Sequence, residues 1–287
     1  MSIVRHAGNP SAPGVIDADS MVRTVREAGI IPFFENLVRG YSIEEHTPPQ
    51  FWFDGDDGAS LGPWDWKIEC VRSGDIAYGK YLLGGKAAFA TVPWYAELRN
   101  YRHSLPKYQP NESQQRILGY IDEHGSITIR EVRALLGVKK SAADAEITRL
   151  QMQCRVVTGE IIRVYRGADL HYSGWQVASF CRPEALFGGA ISGDSSILSP
   201  APTDSFVAAA PRNDRETGTG NTSGSAVARP AAGLPSFATQ ALGLTDAPAH
   251  SPFEVGHSPE ESLRRLKAHI TALTGESSDK ALMKILG

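Results

Sequence analysis

The sequence predicts an α+β protein, and three observations support that prediction. Helical patterns alternate with short, glycine-bounded apolar runs up to about residue 110. Three short helical patterns and a two-stranded ribbon pattern then fill residues 111–188. After residue 188 the composition changes abruptly to alanine, glycine, serine, proline and threonine. The first two features are typical of folded units, whereas the third is typical of chain that cannot bury a core.

Composition and charge bound the class of protein. The chain has 287 residues, of which 41% are hydrophobic and 21% charged, as in an ordinary globular protein. The formal net charge is −3, but residues 98–182 carry 13 lysines and arginines against 8 aspartates and glutamates. That local excess favours weak, salt-sensitive attraction to phosphates, and an ordinary solvated surface explains it equally well.

Three further features argue against a metalloprotein and a membrane protein: the cysteines, the histidines and the N-terminus. Cys70, Cys154 and Cys181 form no CxxC pair, and the eight histidines show no ligand spacing, so we expect no metal and no cofactor. Sparse cysteines fit buried thiols in a reducing compartment. We find neither an apolar leader nor a run long enough to cross a membrane. The sequence therefore predicts a cytoplasmic protein with no membrane partner.

The N-terminal part is expected to contain a loose end and a small α+β unit over residues 18–110. Residues 1–17 are rich in small residues and proline, which predicts a disordered N-terminus. An apolar face predicts a helix from Ser20 to Ala28, and Gly29 ends it. Residues 44–67 mix prolines, acids and three tryptophans, which predicts an irregular loop pinned by aromatic side chains.

The rest of this unit has a strand pattern. Short apolar runs between Lys67 and Thr91 predict two or three antiparallel strands. Hairpin turns are expected near residues 73–74 and 84–85, where glycines lie. Pro93 then opens another helical stretch.

Residues 111–188 are interpreted as a winged helix-turn-helix module. The first helix ends at Gly125, and Thr128 with Glu131 forms a capping box for the second, which ends at Gly137. Ser141 is expected to cap the third helix, with Asp144 at the matching position of its box. A two-stranded ribbon follows, so the order of elements is that of a winged helix.

The third helix and the ribbon supply the candidate DNA contacts. Small residues and one arginine on the outward face offer few hydrogen bonds to base edges, so contacts to phosphates are expected to dominate. Simple solvation is the alternative for each basic side chain, and winged helices also bind proteins. The candidate DNA-binding residues are Lys139, Lys140, Ser141, Thr148, Arg149, Arg163 and Arg166.

The C-terminal part is expected to be a disordered linker, residues 189–257, and a helical tip, residues 258–287. Ser258 and Pro259 are a helix start signal, Gly275 ends that helix, and Ser278 caps a second. The apolar stripe of Leu263, Leu266, Ile270 and Leu273 has two interpretations: a tethered element that docks on a protein partner, or a helix that folds back onto the body.

Several strings together carry a resemblance to a known family: GPWDWK at 62–67, SGDIAYGKYLLGGKAAF at 73–89, LQMQ at 150–153 and GWQVASFCRPEALFG at 174–188, with FWF at 51–53. They resemble bacterial winged-helix proteins related to crosslink-repair DNA glycosylases (the AlkZ/YcaQ-related group), over about residues 20–188. The glycosylases themselves form a DNA-binding cradle from several winged helices and a small barrel. They excise alkylated or crosslinked bases with a Gln-x-Gln or Gln-x-Asp pair.

The resemblance implies Gln151 and Gln153 as candidate catalytic residues. Their context departs from the enzymes, where the pair lies in an early winged helix; here it closes the third helix of the only clear one. Side chains two apart on a helix point about 200° apart, so a polar helix end is the alternative interpretation.

An aromatic and charged cluster is the other candidate site. Trp64, Trp66 and Tyr78 can stack on an exposed base, and Asp65 can position a water or stabilise a cationic sugar. The alternative is a hydrophobic core in which Asp65 caps a turn.

The predicted function is DNA binding by a winged-helix protein of the crosslink-repair glycosylase-related group, mainly through phosphate contacts. One alternative is a DNA glycosylase that hydrolyses N-glycosyl bonds. The other is a protein-interaction adaptor that uses the tethered helices of residues 258–287.

Overall fold

A computed structural model describes residues 14–52, 62–166, 171–188 and 253–287, without the side chains of residues 166 and 171–174. Within this part the chain divides into two compact units. The larger unit contains residues 14–52, 62–162, 176–188 and 253–287, and the smaller one contains the ribbon residues 163–166 and 171–175. Most of the expected linker, residues 189–252, lies outside the described residues.

The fold is α+β, as the sequence predicts, with ten α-helices, two short 3-10 helices (Pro49–Phe51 and Pro106–Tyr108) and six strands among the described residues. In chain order the elements are α1 (Ala18–Ala28), β1 (Ile30–Pro32), α2 (Ile43–His46), α3 (Pro63–Arg72), β2 (Ile76–Leu82), β3 (Lys86–Thr91), α4 (Val92–His103), α5 (Glu112–His124), β4 (Ser126–Thr128), α6 (Ile129–Leu136), α7 (Lys140–Met152), β5 (Val157–Arg166), β6 (His171–Cys181), α8 (Pro183–Phe187), α9 (Pro259–Thr274) and α10 (Asp279–Leu286).

Two three-stranded sheets organise the core. The first has the antiparallel order β1-β3-β2, in which Phe89 pairs with both Ile31 and Tyr78. The second has the order β4-β6-β5, with Ile127 opposite Phe180. We call residues 111–162 and 176–182 the three-helix module, whose own core is formed by buried side chains of α5, α6 and α7. Its helix α7 packs on β2 of the first sheet.

The local helix signals are confirmed where a side chain or glycine acts within one turn. Thr128 accepts a hydrogen bond from the Glu131 N–H, and the Glu131 side chain completes the capping box. Gly137 ends α6 in the left-handed region, at φ +68°, which costs a glycine little. Ser258 and Ser278 cap α9 and α10.

Three local predictions are wrong. The segment around Trp64 is a helix, α3, because Pro63 occupies its first turn and Asp65 lies near its positive N-terminus. The strand expected after Lys67 is the second half of this helix, so the turn at residues 73–74 connects α3 to β2. Helix α7 begins at Lys140 with Lys139 as its uncapped N-cap residue, so Ser141 does not cap it.

Two segments expected to be disordered each contain described residues that pack against the core. Residues 1–13 lie outside the described part, but Val15 is fully buried and Asp17 caps α1 with Ser20. At the end of the linker, Phe253 is buried and its ring packs edge-on against Tyr95. A large apolar side chain in each segment contacts the core, which offsets the loss of chain entropy.

The C-terminal helices fold back onto the body. Helix α9 packs along α4, and Leu266 and Ile270 are completely buried. Helix α10 adjoins β2, where the Leu83 N–H donates to the Ile285 carbonyl (2.8 Å). Leu263, Leu266 and Ile270 of the apolar stripe therefore pack in or against the main core, whereas Leu273 at its end stays exposed.

The three cysteines are free and buried. Within the described ranges, no three histidine, cysteine or acidic side chains come together as metal ligands. No helix of the described chain is both long and apolar enough to cross a membrane.

Candidate functional site

A cavity of about 200 Å³ lies where α3 and β2 meet the three-helix module. We call it the Lys67 cavity. Its apolar wall includes Ile129, Ile147, Ile161 and Phe180. The polar side chains that line it are Lys67, Tyr78, Lys80, Asp144, Thr148, Gln151, Thr158 and Gln176. A concave site that is mostly apolar, with a few convergent polar groups, is the usual setting for a small ligand.

Gln151 is held against the cavity by both sheets. Its Oε1 accepts a hydrogen bond from the Lys80 N–H (3.1 Å), and its Nε2 donates to Thr158 Oγ1 (3.3 Å). The close approach requires Gly79, because a Cβ at that position would lie 3.0 Å from Gln151 Nε2. The amide is therefore fixed in one orientation.

Gln153 points away from the cavity. Its Nε2 donates to Gln114 Oε1 (2.8 Å), and that glutamine completes the capping box of α5. Helix α7 extends through Met152, so Gln151 and Gln153 diverge as helical geometry requires. The structure places Gln151 in the cavity wall and Gln153 in the junction between α7 and α5.

Lys67 is the most unusual group in the wall. Its side chain is only 8% exposed, and its Nζ lies 5.1 Å from the centroid of the Trp64 ring, one helical turn before it. Burial lowers the pKa of Lys67 to about 8, and the nearby Asp65 carboxylate opposes that shift. The cost of desolvating the Lys67 ammonium group thus outweighs its attraction to the Asp65 carboxylate.

Asp65 adjoins the same site. Gln176 of β6 donates through Nε2 to Asp65 Oδ1 (3.1 Å) and to the Trp64 carbonyl (3.0 Å). Because Gln176 itself lines the cavity, this side chain connects the α3 carboxylate to the cavity wall.

The predicted aromatic cluster is divided among three environments. Trp64 is 47% exposed and packs beside Phe33 and Phe34. Trp66 is buried against Phe51. Tyr78 packs against Phe89 in the first sheet and lines the Lys67 cavity. The structure therefore leaves Trp64 as the exposed ring of the three.

The candidate DNA contacts fall into an open group and a covered group. Lys139, Lys140 and Ser141, which we call the basic turn, are all exposed at the start of α7. Towards its other end, α7 is covered by the hairpin of β2 and β3. There Thr148 lies so close to Gly85 that an added Cβ would be 2.9 Å from its methyl group.

The three arginines among the candidate DNA contacts lie outside the basic turn. Arg149 is exposed but forms an ion pair with Glu146 (2.6 Å), and the carboxylate reduces the attraction of this arginine for a phosphate. Arg163 belongs to the smaller unit on β5, and the side chain of Arg166 lies outside the described residues.

Reasoning from sequence gave Lys67 no role beside the aromatic cluster, and it missed Thr158 and Gln176 as site residues. The spacing of Trp64 and Lys67 fits one helical turn, and that signal was obscured by the loop prediction. Nothing local indicates that Gln176 faces a cavity, because its partner Asp65 lies 111 residues away in the chain. Thr158 is near its partner Gln151 in the chain, but the cavity that both line is completed by α3 and β2, which come much earlier.

The arrangement defines an α+β protein with a polar cavity between a small sheet and a three-helix module. A family model described as AlkZ related matches residues 15–207, which is more than half of the chain. The chain belongs to that family, which confirms the resemblance found in the sequence. Comparisons with curated proteins and with solved structures gave no match.

Proposed function

We propose that this protein binds duplex or damaged DNA through a winged-helix module, mainly by contacts to phosphates. The order α5, β4, α6, α7, β5 and β6, with the sheet order β4-β6-β5, supports a winged helix. Membership of the AlkZ-related family supports a relation to the crosslink-repair glycosylase group.

The observation that carries the proposal is the exposed basic turn. Two lysines and a serine lie at the N-terminus of α7, where free backbone N–H groups and the helix dipole also favour an anion. Since the hairpin of β2 and β3 covers the other end of α7, the helix approaches DNA with its first turn. This geometry suits phosphate contacts more than base readout.

Reversing both charges of the basic turn is expected to weaken DNA binding strongly. For the full-length Lys139→Glu, Lys140→Glu variant we expect at least a roughly tenfold rise in Kd at low salt. The slope of log K against log salt should fall by about two, because each phosphate contact contributes about 0.9. Fluorescence anisotropy with a labelled duplex at several salt concentrations measures both quantities.

The matched control reverses two exposed arginines outside the three-helix module, Arg23→Glu and Arg39→Glu. It changes the net charge equally, so it isolates the position of the charge from its amount. Equal loss of affinity in both double variants would contradict a defined DNA surface on α7.

A DNA glycosylase is the second candidate function. The observation that favours it is the position of Gln151 in the cavity wall, together with the hydrogen bond between Asp65 and Gln176, another residue of that wall. An amide and a carboxylate beside a cavity are suited to orient a water and to stabilise positive charge on a sugar.

The two glutamines are expected to differ in a glycosylase assay. Gln151→Ala should lower base release from alkylated or crosslinked duplexes by about 100-fold or more, as for loss of a group that positions the reacting water. Gln153→Ala, matched in chemistry and nearly adjacent, should retain activity once its folding is verified. Absence of free base from the wild-type protein across a panel of lesions would exclude the enzyme.

A further inference from the structure

Lys67 is a buried cation that neither proposed function uses. Its Nζ contacts the Trp64 ring, and it forms no ion pair with any carboxylate of the described chain. Burying an unpaired ammonium group costs free energy, so stability does not explain a lysine here. A methionine or leucine would fill the same space without that cost.

The surroundings of Lys67 favour the neutral amine. The β5 and β6 side chains of the cavity are uncharged, among them Thr158 and Gln176. The titratable groups that face the cavity are Tyr78 and Lys80 on β2 and Asp144 on α7, and Asp65 lies beside Lys67 on α3. With a pKa of about 8 for Lys67, about a tenth of the amine carries a free electron pair at pH 7 and about half of it at pH 8.

We propose that Lys67 is an amine nucleophile that captures an aldehyde in this cavity, and that the aldehyde is the ring-opened deoxyribose of an abasic site in DNA. The identity of the substrate rests on the proposed DNA binding, whereas the reactivity of the amine rests on the cavity. A lysine desolvated in an apolar pocket is a known means of activating an amine towards carbonyl carbon. The cavity of about 200 Å³ has room for the C1′ end of one sugar.

The reaction is an ordinary condensation. The Nζ electron pair attacks C1′, a C–N bond forms, and the carbonyl electrons move to oxygen, which accepts the proton that the nitrogen releases. The resulting carbinolamine loses its hydroxyl group and a nitrogen proton as water, which leaves an imine. Gln151 Nε2 has one hydrogen that Thr158 does not use and can donate it to the oxygen, and the polar wall provides no competing amine except Lys80, which is exposed.

The experiment traps the imine on the full-length protein with cyanoborohydride, which reduces it to a stable amine. One arm uses a duplex with a single abasic site, and a second uses glycolaldehyde. Peptide mass spectrometry maps the adducts. We expect both arms to modify Lys67 at least about tenfold more than Lys80 at pH 7.5, because the Lys67 amine is desolvated in the cavity wall, whereas Lys80 is exposed to solvent. The yield at Lys67 should rise through pH 8.

Variants and binding data separate this inference from the proposed function. Lys67→Arg and Lys67→Met should both lose the adduct, whereas Lys80→Arg should keep it. If the duplex binds by anisotropy but is not trapped on Lys67, the inference is wrong and DNA binding stands. If glycolaldehyde modifies Lys67 but no duplex binds, the proposed function fails and the DNA substrate fails with it. Modification spread evenly over exposed lysines refutes the nucleophile in either case.

Discussion

Replacement of Arg102 by methionine is expected to lower the free energy of unfolding by about 3–5 kcal/mol, the range typical of removing one partner from a buried charged interaction. Arg102 is completely buried on α4. It donates to the carbonyls of Met152 (2.8 Å), Tyr81 (2.6 Å) and Leu286. Methionine keeps the apolar stem but leaves three buried acceptors without a donor, each at a cost of about 1–3 kcal/mol.

The position of Arg102 explains why the effect should be global. Its carbonyl partners lie at the C-terminal ends of α7 and α10 and on β2, so one guanidinium connects the first sheet, the three-helix module and the C-terminal helices. A cation at two helix C-termini also interacts favourably with both dipoles. Lysine has fewer donors in a less suitable geometry, so Arg102→Lys should recover only part of the loss.

Urea denaturation followed by circular dichroism measures the effect as a lower midpoint with a similar m value. Arg133→Met provides the control, because Arg133 is exposed on α6 and such substitutions change stability by about 0.5 kcal/mol or less. If both arginine variants unfold at the same midpoint, water or other groups satisfy these carbonyls and the role assigned to Arg102 is wrong.

The sequence predicts features of this fold that depend on a few neighbouring residues. The capping box of Thr128 with Glu131 and the glycine at residue 137 define α6 because their interactions span one turn. The run around Ile68 misled the prediction because a short apolar stretch fits a strand and a buried helix equally well. Only packing of α3 on α1 and β2 decides between them.

The candidate site is predictable only in part, for the same reason. The letters of the Gln-x-Gln pair identify Gln151, but its hydrogen bonds to residues 80 and 158 come from the tertiary fold. The burial of Lys67 depends on cavity walls contributed by α7, β5 and β6, far away in the chain. No local pattern distinguishes a lysine that lines such a cavity from one on a solvated helix face.

The apolar stripe of α9 fits two structures, a helix that folds back onto the body and a tethered docking element. Substitutions at two leucines of α9 distinguish between these two structures. Leu266→Ala is expected to destabilise the protein by about 2–5 kcal/mol, the usual cost of a buried leucine truncated to alanine. Leu266 is 0% exposed in the core between α9 and α4. On the same helix Leu273 is 43% exposed, so Leu273→Ala should cost about 0.5 kcal/mol or less.

The comparison is well matched because both substitutions change leucine to alanine within α9, so helix propensity changes equally. Any difference between them therefore reports the contact of α9 with the body. Hydrogen exchange of α9 amides shows where the loss falls: Leu266→Ala should accelerate exchange in α9 and in the adjoining face of α4. A freely tethered tip makes the opposite prediction, namely small and equal effects of both substitutions on the unfolding of the body. That result would reject the folded-back arrangement and restore residues 258–287 as a docking element.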